Sequence, residues 1–270
     1  VKFSLYTASG AGPASFVGME NFRKLFFDPY VSERFWNALK NNFVFLLWTM
    51  VIQNGTGLFI AVLLSLNLKF FSFIRTVLFI PVTMSIVLVG YIWSLLLNPN
   101  WGAVNTILSG IGLDSLALPW LGDERTALAS VAAVNAWSAV GLAIMLFLAG
   151  LQGVPDDLYE AADLDGAGNW KKFTHISVPH LVPVFGIVSI LTIVGNFSQF
   201  ELIYSLQGTS AGPNYATDVL GTFFYRTSFS SLTGATPDMG LGAAISTVTF
   251  LIVCCMVCFW LYLTQWRKAQ

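Results

Sequence analysis

Five stretches of this 270-residue chain contain no Asp, Glu, Lys or Arg: residues 41–68, 76–113, 126–155, 173–200 and 239–266. Each is longer than the roughly 20 apolar residues a helix needs to cross about 30 Å of hydrocarbon. Backbone amides in lipid must be satisfied within the segment or in a closed barrel, and these continuous apolar runs lack the inside/outside alternation of barrel strands. The predicted fold is therefore an all-α, polytopic membrane helix bundle with five spans in this chain. Composition agrees, with 10% charged and 56% apolar residues where a soluble domain carries about 25% charge.

The net charge of −1 leaves no basic footprint for nucleic acid, so membrane lipid is the expected surroundings. Cys254, Cys255 and Cys258 lie within one apolar run with no His or carboxylate at ligand spacing; they read as packing residues, not as a metal site or a disulfide framework. Trp48, Trp93, Trp137 and Trp266 fall toward or within span ends, where indole rings anchor and pack.

Loop charge sets the orientation. Lys69, Arg75, Lys171, Lys172, Arg267 and Lys268 fall on one side, against Arg125 and Arg226 in the opposite loops, which places the first set in the cytoplasm. Lys2, Arg23, Lys24, Arg34 and Lys40 would then lie outside. There Met19, Phe22, Phe26 and Phe27, then Phe35, Trp36 and Leu39, recur at helical spacing, predicting an amphipathic helix on the membrane surface. Residues 1–40 thus read as an extracytoplasmic segment, 41–266 as one transmembrane domain and 267–270 as a cytoplasmic tail. The chain starts at Val1 without a Met, and further residues are expected before it.

The cytoplasmic loop of residues 155–179 carries a disproportionate share of the charge. Pro155 stops the preceding helix, Asp156 or Asp157 can cap a new one, and Leu158, Ala161, Ala162 and Asp165 mark a short helix turned over at Gly166 and Gly168. A second short helix from about Asn169 is predicted to end before Pro179. Two short helices at a right angle, bearing five carboxylates and two lysines, make a knob suited to another protein's groove. The plainer reading is a solvated loop whose acids keep it out of lipid.

Glu160-Ala161-Ala162, Gly166, nine residues, Ile176, Val178 and Pro179 resemble the signature of importer-type ABC permease subunits, departing only where Val178 replaces a Leu. Phe16 to Phe22, Arg75 with Pro81 and Trp93, Gly102 with Asn105, Phe200 with Ile203, Gly212-Pro213 with Thr217, and Tyr225 with Phe229 extend the resemblance to carbohydrate importers of the maltose and glycerol-phosphate type. It implies a type I importer permease of the bacterial inner membrane, with one more span before Val1. In such a protein Asp157, Glu160, Ala161, Ala162, Asp165, Gly166, Ile176 and Pro179 form the coupling segment that docks on an ATP-binding subunit. The implied partners are a second permease subunit, two ATP-binding subunits that hold ATP and Mg, and an extracytoplasmic sugar-binding protein. The segment from Leu206 to Asp238, notably Gly212, Pro213, Tyr215 and Thr217, is expected to contact that binding protein. Residues 98–125 are a short connection where some maltose-type subunits carry a large insertion.

A sugar path needs amides and hydroxyls among aromatic or apolar walls. Asn135, Trp137 and Ser138 in the third span, and Asn196, Phe197, Gln199 and Glu201 in the fourth, are the candidates. Asn135 and Ser138, like Asn196 and Gln199, are spaced to share a helix face. The alternative is interhelical hydrogen bonding, worth about 0.6–2 kcal/mol per residue, which also suits Gln53, Asn54 and Asn67. The resemblance favours the path for Asn135, Ser138 and Ala139, and for Thr192, Gly195, Asn196 and Gln199. Leu142 stands where the maltose protein has a Tyr, and Gly195 where it has a Phe, implying a different sugar: a neutral oligosaccharide, a uronate oligomer or glycerol phosphate. Glu201 is expected to reach the outer interface, and His175 and His180 to face water or cap helices.

No Gly-x-x-x-x-Gly-Lys-Ser/Thr cradle, Ser/His/Asp set or intramembrane carboxylate pair occurs. The chain is read as a non-catalytic subunit with no cofactor of its own. The competing class, an ion-gradient-driven secondary transporter, asks for broken helices, an inverted repeat and paired intramembrane carboxylates. It would leave the acidic knob unexplained.

Overall fold

The structure, a computed structural model, describes residues 2–7, 15–66, 71–229 and 237–266. Asn67, Lys69, Arg267, Lys268, the tail 267–270, residues 230–236 and the side chain of Trp266 lie outside the described residues. Among the described residues the regular elements are helices joined by turns and loops, and an isolated antiparallel bridge pairs Tyr6 with Phe16.

The helices are α1 (Glu20–Phe27), α2 (Pro29–Thr49), α3 (Gly55–Ser65), α4 (Phe71–Thr83), α5 (Ile86–Leu96), α6 (Ala103–Gly110) and α7 (Glu124–Gln152). They are followed by α8 (Asp156–Leu164), α9 (Asn169–Lys172), α10 (Val178–Phe197), α11 (Glu201–Gln207), α12 (Leu220–Phe229) and α13 (Met239–Trp266). Four continuous helical stretches are long and apolar enough to cross a membrane: Pro29–Ser65, Glu124–Gln152, Asn169–Phe197 and Met239–Thr264. The remaining apolar run forms α4 and α5, bent by 99°. Four continuous stretches plus this bent pair agree with up to five spans, the bent pair being counted as one. Pro81 lies in the last turn of α4, and Ser85 is extended at φ −60°, ψ 131° before α5 starts. A proline and an extended residue four positions apart leave no continuous hydrogen-bond ladder.

Two expectations change. The predicted surface helix is two helices, because Asp28 is extended (φ −71°, ψ 123°) and its Oδ1 accepts from the amides of Tyr30 and Val31 at 3.1 Å each, with Pro29 opening α2. Leu25 and Phe35 are buried while Met19, Phe27 and Trp36 are exposed, so the segment docks on protein through part of its apolar set. The helix from Pro29 to Ser65 is 37 residues, about 55 Å at 1.5 Å per residue, and no break falls between residues 40 and 41.

The second change is at Pro179, where the predicted break does not occur. Its ring displaces the carbonyl four residues back, His175, and that residue lies in a π turn, Phe173–Ser177, whose wider ring accommodates the displacement. His175 Nδ1 lies 3.1 Å from Lys171 O and His180 Nδ1 3.0 Å from Ile176 O, contacts that need the proton on Nδ1.

The chain divides into two compact units. Unit 1 comprises Val1–Trp48, Ser85–Val134 and Val194–Met256. Its core includes Leu25, Phe35, Phe45, Val131, Leu202, Ile203, Leu220 and Ile245. Within it α5 lies so close to α11 that a Cβ on Gly90 would meet Ser205 Oγ at 1.8 Å. Unit 2 comprises Thr49–Met84, Asn135–Ile193 and Val257–Gln270. Its core joins Ala61 and Leu64 of α3, Ala143, Ile144, Phe147 and Leu148 of α7, and Leu181 and Val188 of α10. Small residues make the close approach, since a Cβ on Gly57 would sit 2.9 Å from that of Ala143.

Candidate functional site

The loop after α7 is built in unit 2. Val154 is buried, and Pro155 is extended at φ −61°, ψ 135° as the residue before α8. Asp156 and Asp157 therefore stand in the first turn of α8 and make no side-chain cap bond, which corrects their predicted capping role. Their charge still favours the helix N-terminus. Gly166, at φ +71°, ends α8 as expected, with Gly166 N–H donating to Asp163 O and Ala167 N–H to Ala162 O.

Two side-chain contacts fasten α8 to the following helix: an ion pair between Lys172 and Asp163, and Tyr159 Oη with Ser177 Oγ at 2.9 Å. Asp157, Glu160, Ala161, Asp165, Gly166 and Pro179 are exposed, and Ala162 and Ile176 half-buried. Beside the carboxylates, Leu164 is 91% and Trp170 75% exposed. An apolar pair so placed on a charged, braced turn is the composition of a protein contact. Sequence reasoning missed Leu164, Trp170 and the Tyr159–Ser177 tie, because no periodic signal connects residues across a turn.

The polar path residues fall in both units. In unit 2, Trp137 is 40% exposed and Asn135 and Ala139 are half-buried. Ser138 is buried and its Oγ donates to Asn135 O at 2.8 Å, so these two do share a face of α7. Thr192 is corrected: it is buried, and its hydroxyl donates to Val188 O (2.9 Å) and is 3.2 Å from Asn54 Oδ1. That is the interhelical bonding role, and Asn54 takes it too, from a π turn at Met50–Asn54.

In unit 1, Gly195 is exposed and Asn196 buried, with Asn196 O accepting from Asn42 Nδ2 at 3.2 Å. Gln199 lies beyond the end of α10 at Phe197, so the predicted shared helix face with Asn196 does not form. Glu201, exposed, is the first residue of α11 rather than part of the spanning helix.

Residues 208–220 form a strained loop in unit 1. Ala211, Asn214 and Tyr215 have φ of 51°, 47° and 59°, a region unfavourable to side chains bearing a Cβ. A lattice of bonds holds it. Asn37 Nδ2 donates to Tyr215 O (3.1 Å), Asn41 Nδ2 to Asp218 O (2.9 Å), and Asn42 Oδ1 accepts from Leu220 N–H (2.7 Å). Arg34 and Arg226 place their guanidinium carbons 3.6 and 4.7 Å from the Tyr215 ring centre. Arg226 Nη2 also meets Asp218 Oδ2 at 2.5 Å, and Thr222 Oγ1 donates to Asp218 Oδ1 at 2.7 Å. Burial pushes the Asp218 carboxyl above the ordinary range, against the opposing pull of Arg226.

Gly212, Pro213 and Tyr215 are half-buried and Asn214 is exposed. Thr217 is fully buried, so the expectation that it meets a binding protein is corrected; its amide instead donates to Ala211 O at 3.1 Å. Asn37 and Asn41, four apart on α2, were the available sequence signal for this lattice.

Residues 53–268 match the family described as binding-protein-dependent transport system inner membrane component. The chain is 38% identical to the probable ABC transporter permease protein YurN of Bacillus subtilis, over 93% of this chain and 84% of that one. It is 34% identical to the arabinooligosaccharides transport system permease protein AraP of the same species (90% and 74%). With the trehalose/maltose transport system permease protein MalF of Thermococcus litoralis the identity is 30% (94% and 81%). Among solved structures, a chain of a bacterial ABC transporter involved in the import of the acidic polysaccharide alginate superposes with a TM-score of 0.79 at 25% identity, covering 93% of this chain and 84% of that one.

Proposed function

Because the chain belongs to the family of binding-protein-dependent transport system inner membrane components, we propose that it forms half of the translocation path of an ATP-driven importer for an oligosaccharide or related sugar. It is a multi-pass inner-membrane protein. The observation that carries the reading is the braced turn from α8 to α9, in which exposed carboxylates surround exposed Leu164 and Trp170. In this reading the turn faces the cytoplasm and fits a groove on an ATP-binding subunit. ATP and Mg reside there, and a second permease subunit completes the path.

The sugar class draws on the relatives, whose names give arabinooligosaccharides, and trehalose and maltose, as what their systems carry. In unit 2, Asn135, Trp137, Ser138 and Ala139 of α7 offer the amide and aromatic surface a sugar requires; in unit 1, Gly195 and Asn196 of α10 and Gln199 just beyond it are the residues the path reading assigns. The extracytoplasmic binding protein is taken to meet the strained loop through Gly212, Pro213, Asn214 and Tyr215. Coupling is tested with Glu160→Lys and Gly166→Val. The first reverses an exposed charge; the second forces a β-branched residue to φ +71°. Both are expected to insert normally yet lose ATPase association and uptake, and unchanged uptake in both would refute the docking role.

A further inference from the structure

Two joints lie between the exposed turn and the long helices of unit 2. On the α7 side the chain passes through Gly153, Val154 and Pro155, with Pro155 extended before α8. On the α10 side it passes through the π turn Phe173–Ser177 and meets Pro179. At each joint a proline removes a backbone donor, so the helical ladder is incomplete there. The two side-chain ties of α8 fall differently about the second joint. Lys172 pairs with Asp163 before the π turn starts, and Asp163 is exposed, where water screens an ion pair. Tyr159 Oη meets Ser177 Oγ at 2.9 Å at the last residue of the turn, and Ser177 is buried. Of these two, the second alone spans the joint.

The packing on either side of the tie gives it leverage. Tyr159 and Ala162, three apart on α8, are half-buried and form its inward face, while Asp157, Glu160 and Ala161 are exposed. Across the tie, Ser177 and Leu181 are four residues apart and both buried. Leu181 lies against α7, where a Cβ on Gly150 would sit 3.0 Å from Leu181 Cδ2 and 2.7 Å from Val184 Cγ2. The hydrogen bond therefore closes a triangle: α7 runs into α8, α8 is held to Ser177, and α10 rests on α7. We propose that Tyr159 is a positioning residue for energy coupling, its hydroxyl on Ser177 acting as a strut that carries displacement of α8 past the π turn into α10. The proposal rests on the reading of the α8–α9 turn as the seat of an ATP-binding subunit, and adds how that seat acts on a span. A closed triangle moves as one body when α8 is pushed, so the buried face of α10 at Leu181 follows. With the strut cut, α8 turns about its two joints and α10 stays.

The test is hydrogen–deuterium exchange of the assembled transporter, nucleotide-free against loaded with Mg-ATP and orthovanadate, so that no sugar has to be chosen. In the unmodified complex, amides of residues 156–165 and of residues 178–188 are both expected to change their exchange on loading. Tyr159→Phe removes the hydroxyl and Ser177→Ala its partner. Each should keep the change over 156–165 and lose it over 178–188, and the double variant should lose no more than either single one. Lys172→Met, which cuts the tie before the π turn, should keep both changes. A response over 178–188 that survives Tyr159→Phe would overturn the strut, as would losses that add in the double variant. An unmodified complex responding over 156–165 alone would overturn the strut and leave docking intact. No change over 156–165 in the unmodified complex would overturn the docking reading, and the strut with it.

Discussion

Asn42 is the residue whose removal most directly measures how the strained loop is held. It is fully buried, its Oδ1 accepts from Leu220 N–H at 2.7 Å, and its Nδ2 donates to Asn196 O at 3.2 Å. Leu220 and Asn196 are themselves 1% and 2% exposed, so water does not replace either bond. Asn42→Ala leaves one buried N–H and loses one bond to a buried carbonyl. The stranded N–H costs about 1–3 kcal/mol and the carbonyl, which keeps its bond from Gln199 N–H at 3.3 Å, loses about 0.5–1.5 kcal/mol, an expected total of about 1.5–4.5 kcal/mol. Asn42→Leu keeps a side chain of four heavy atoms branched at Cγ, so it leaves no cavity, and makes neither bond. If hydrogen bonding dominates, both variants lose similar stability; if the cost is the cavity, Leu restores it. The assay is thermal unfolding of the purified complex followed by tryptophan fluorescence, with a drop of at least about 3 °C expected for both, from the scale of about 2–4 °C per kcal/mol for domains of this size. Midpoints within about 1 °C of the native protein would refute the lattice as the support of residues 208–220.

A second expectation concerns pH. Asp218 has its pKa raised above the ordinary 3.8, burial outweighing Arg226, so the folded state favours the protonated carboxyl. Its contribution is fully present below the unfolded value and is lost as pH rises through the raised one. Asp218→Asn cannot titrate, so the stability of the native protein relative to this variant should fall with rising pH; a rise would show that the Arg226 attraction wins. At the α5–α11 contact, Gly90→Ala is expected to cost about 1–3 kcal/mol by overpacking against Ser205. Ser205→Gly in the same chain should recover most of it, and a stable single variant in thermal melts would argue against the close approach at 1.8 Å.

Much of the fold was legible because the bilayer imposes a length and a polarity that leave few solutions. The acidic loop was legible because Pro155, Gly166 and Gly168 punctuate the chain at fixed offsets. Other features were not. Pro179 read as a stop because the rule presumes an α turn before it, and the π turn at Phe173–Ser177 removes the clash. Thr192 read as a path residue by likeness of position, but its hydroxyl is taken by Asn54, 138 residues earlier in sequence. Asn196 and Gln199 have helical spacing, but α10 ends between them.

The sequence alone determined that the chain spans a membrane as helices, since unsatisfied amides in hydrocarbon allow nothing else for runs without alternation. It also determined where charge gathers, because charged residues are costly inside the bilayer and collect outside it. Tertiary structure decided which polar side chains remain available. An amide or hydroxyl bonds whatever partner the packing brings within about 3 Å, and neither Asn42 meeting Leu220 nor Tyr159 meeting Ser177 is encoded in local spacing.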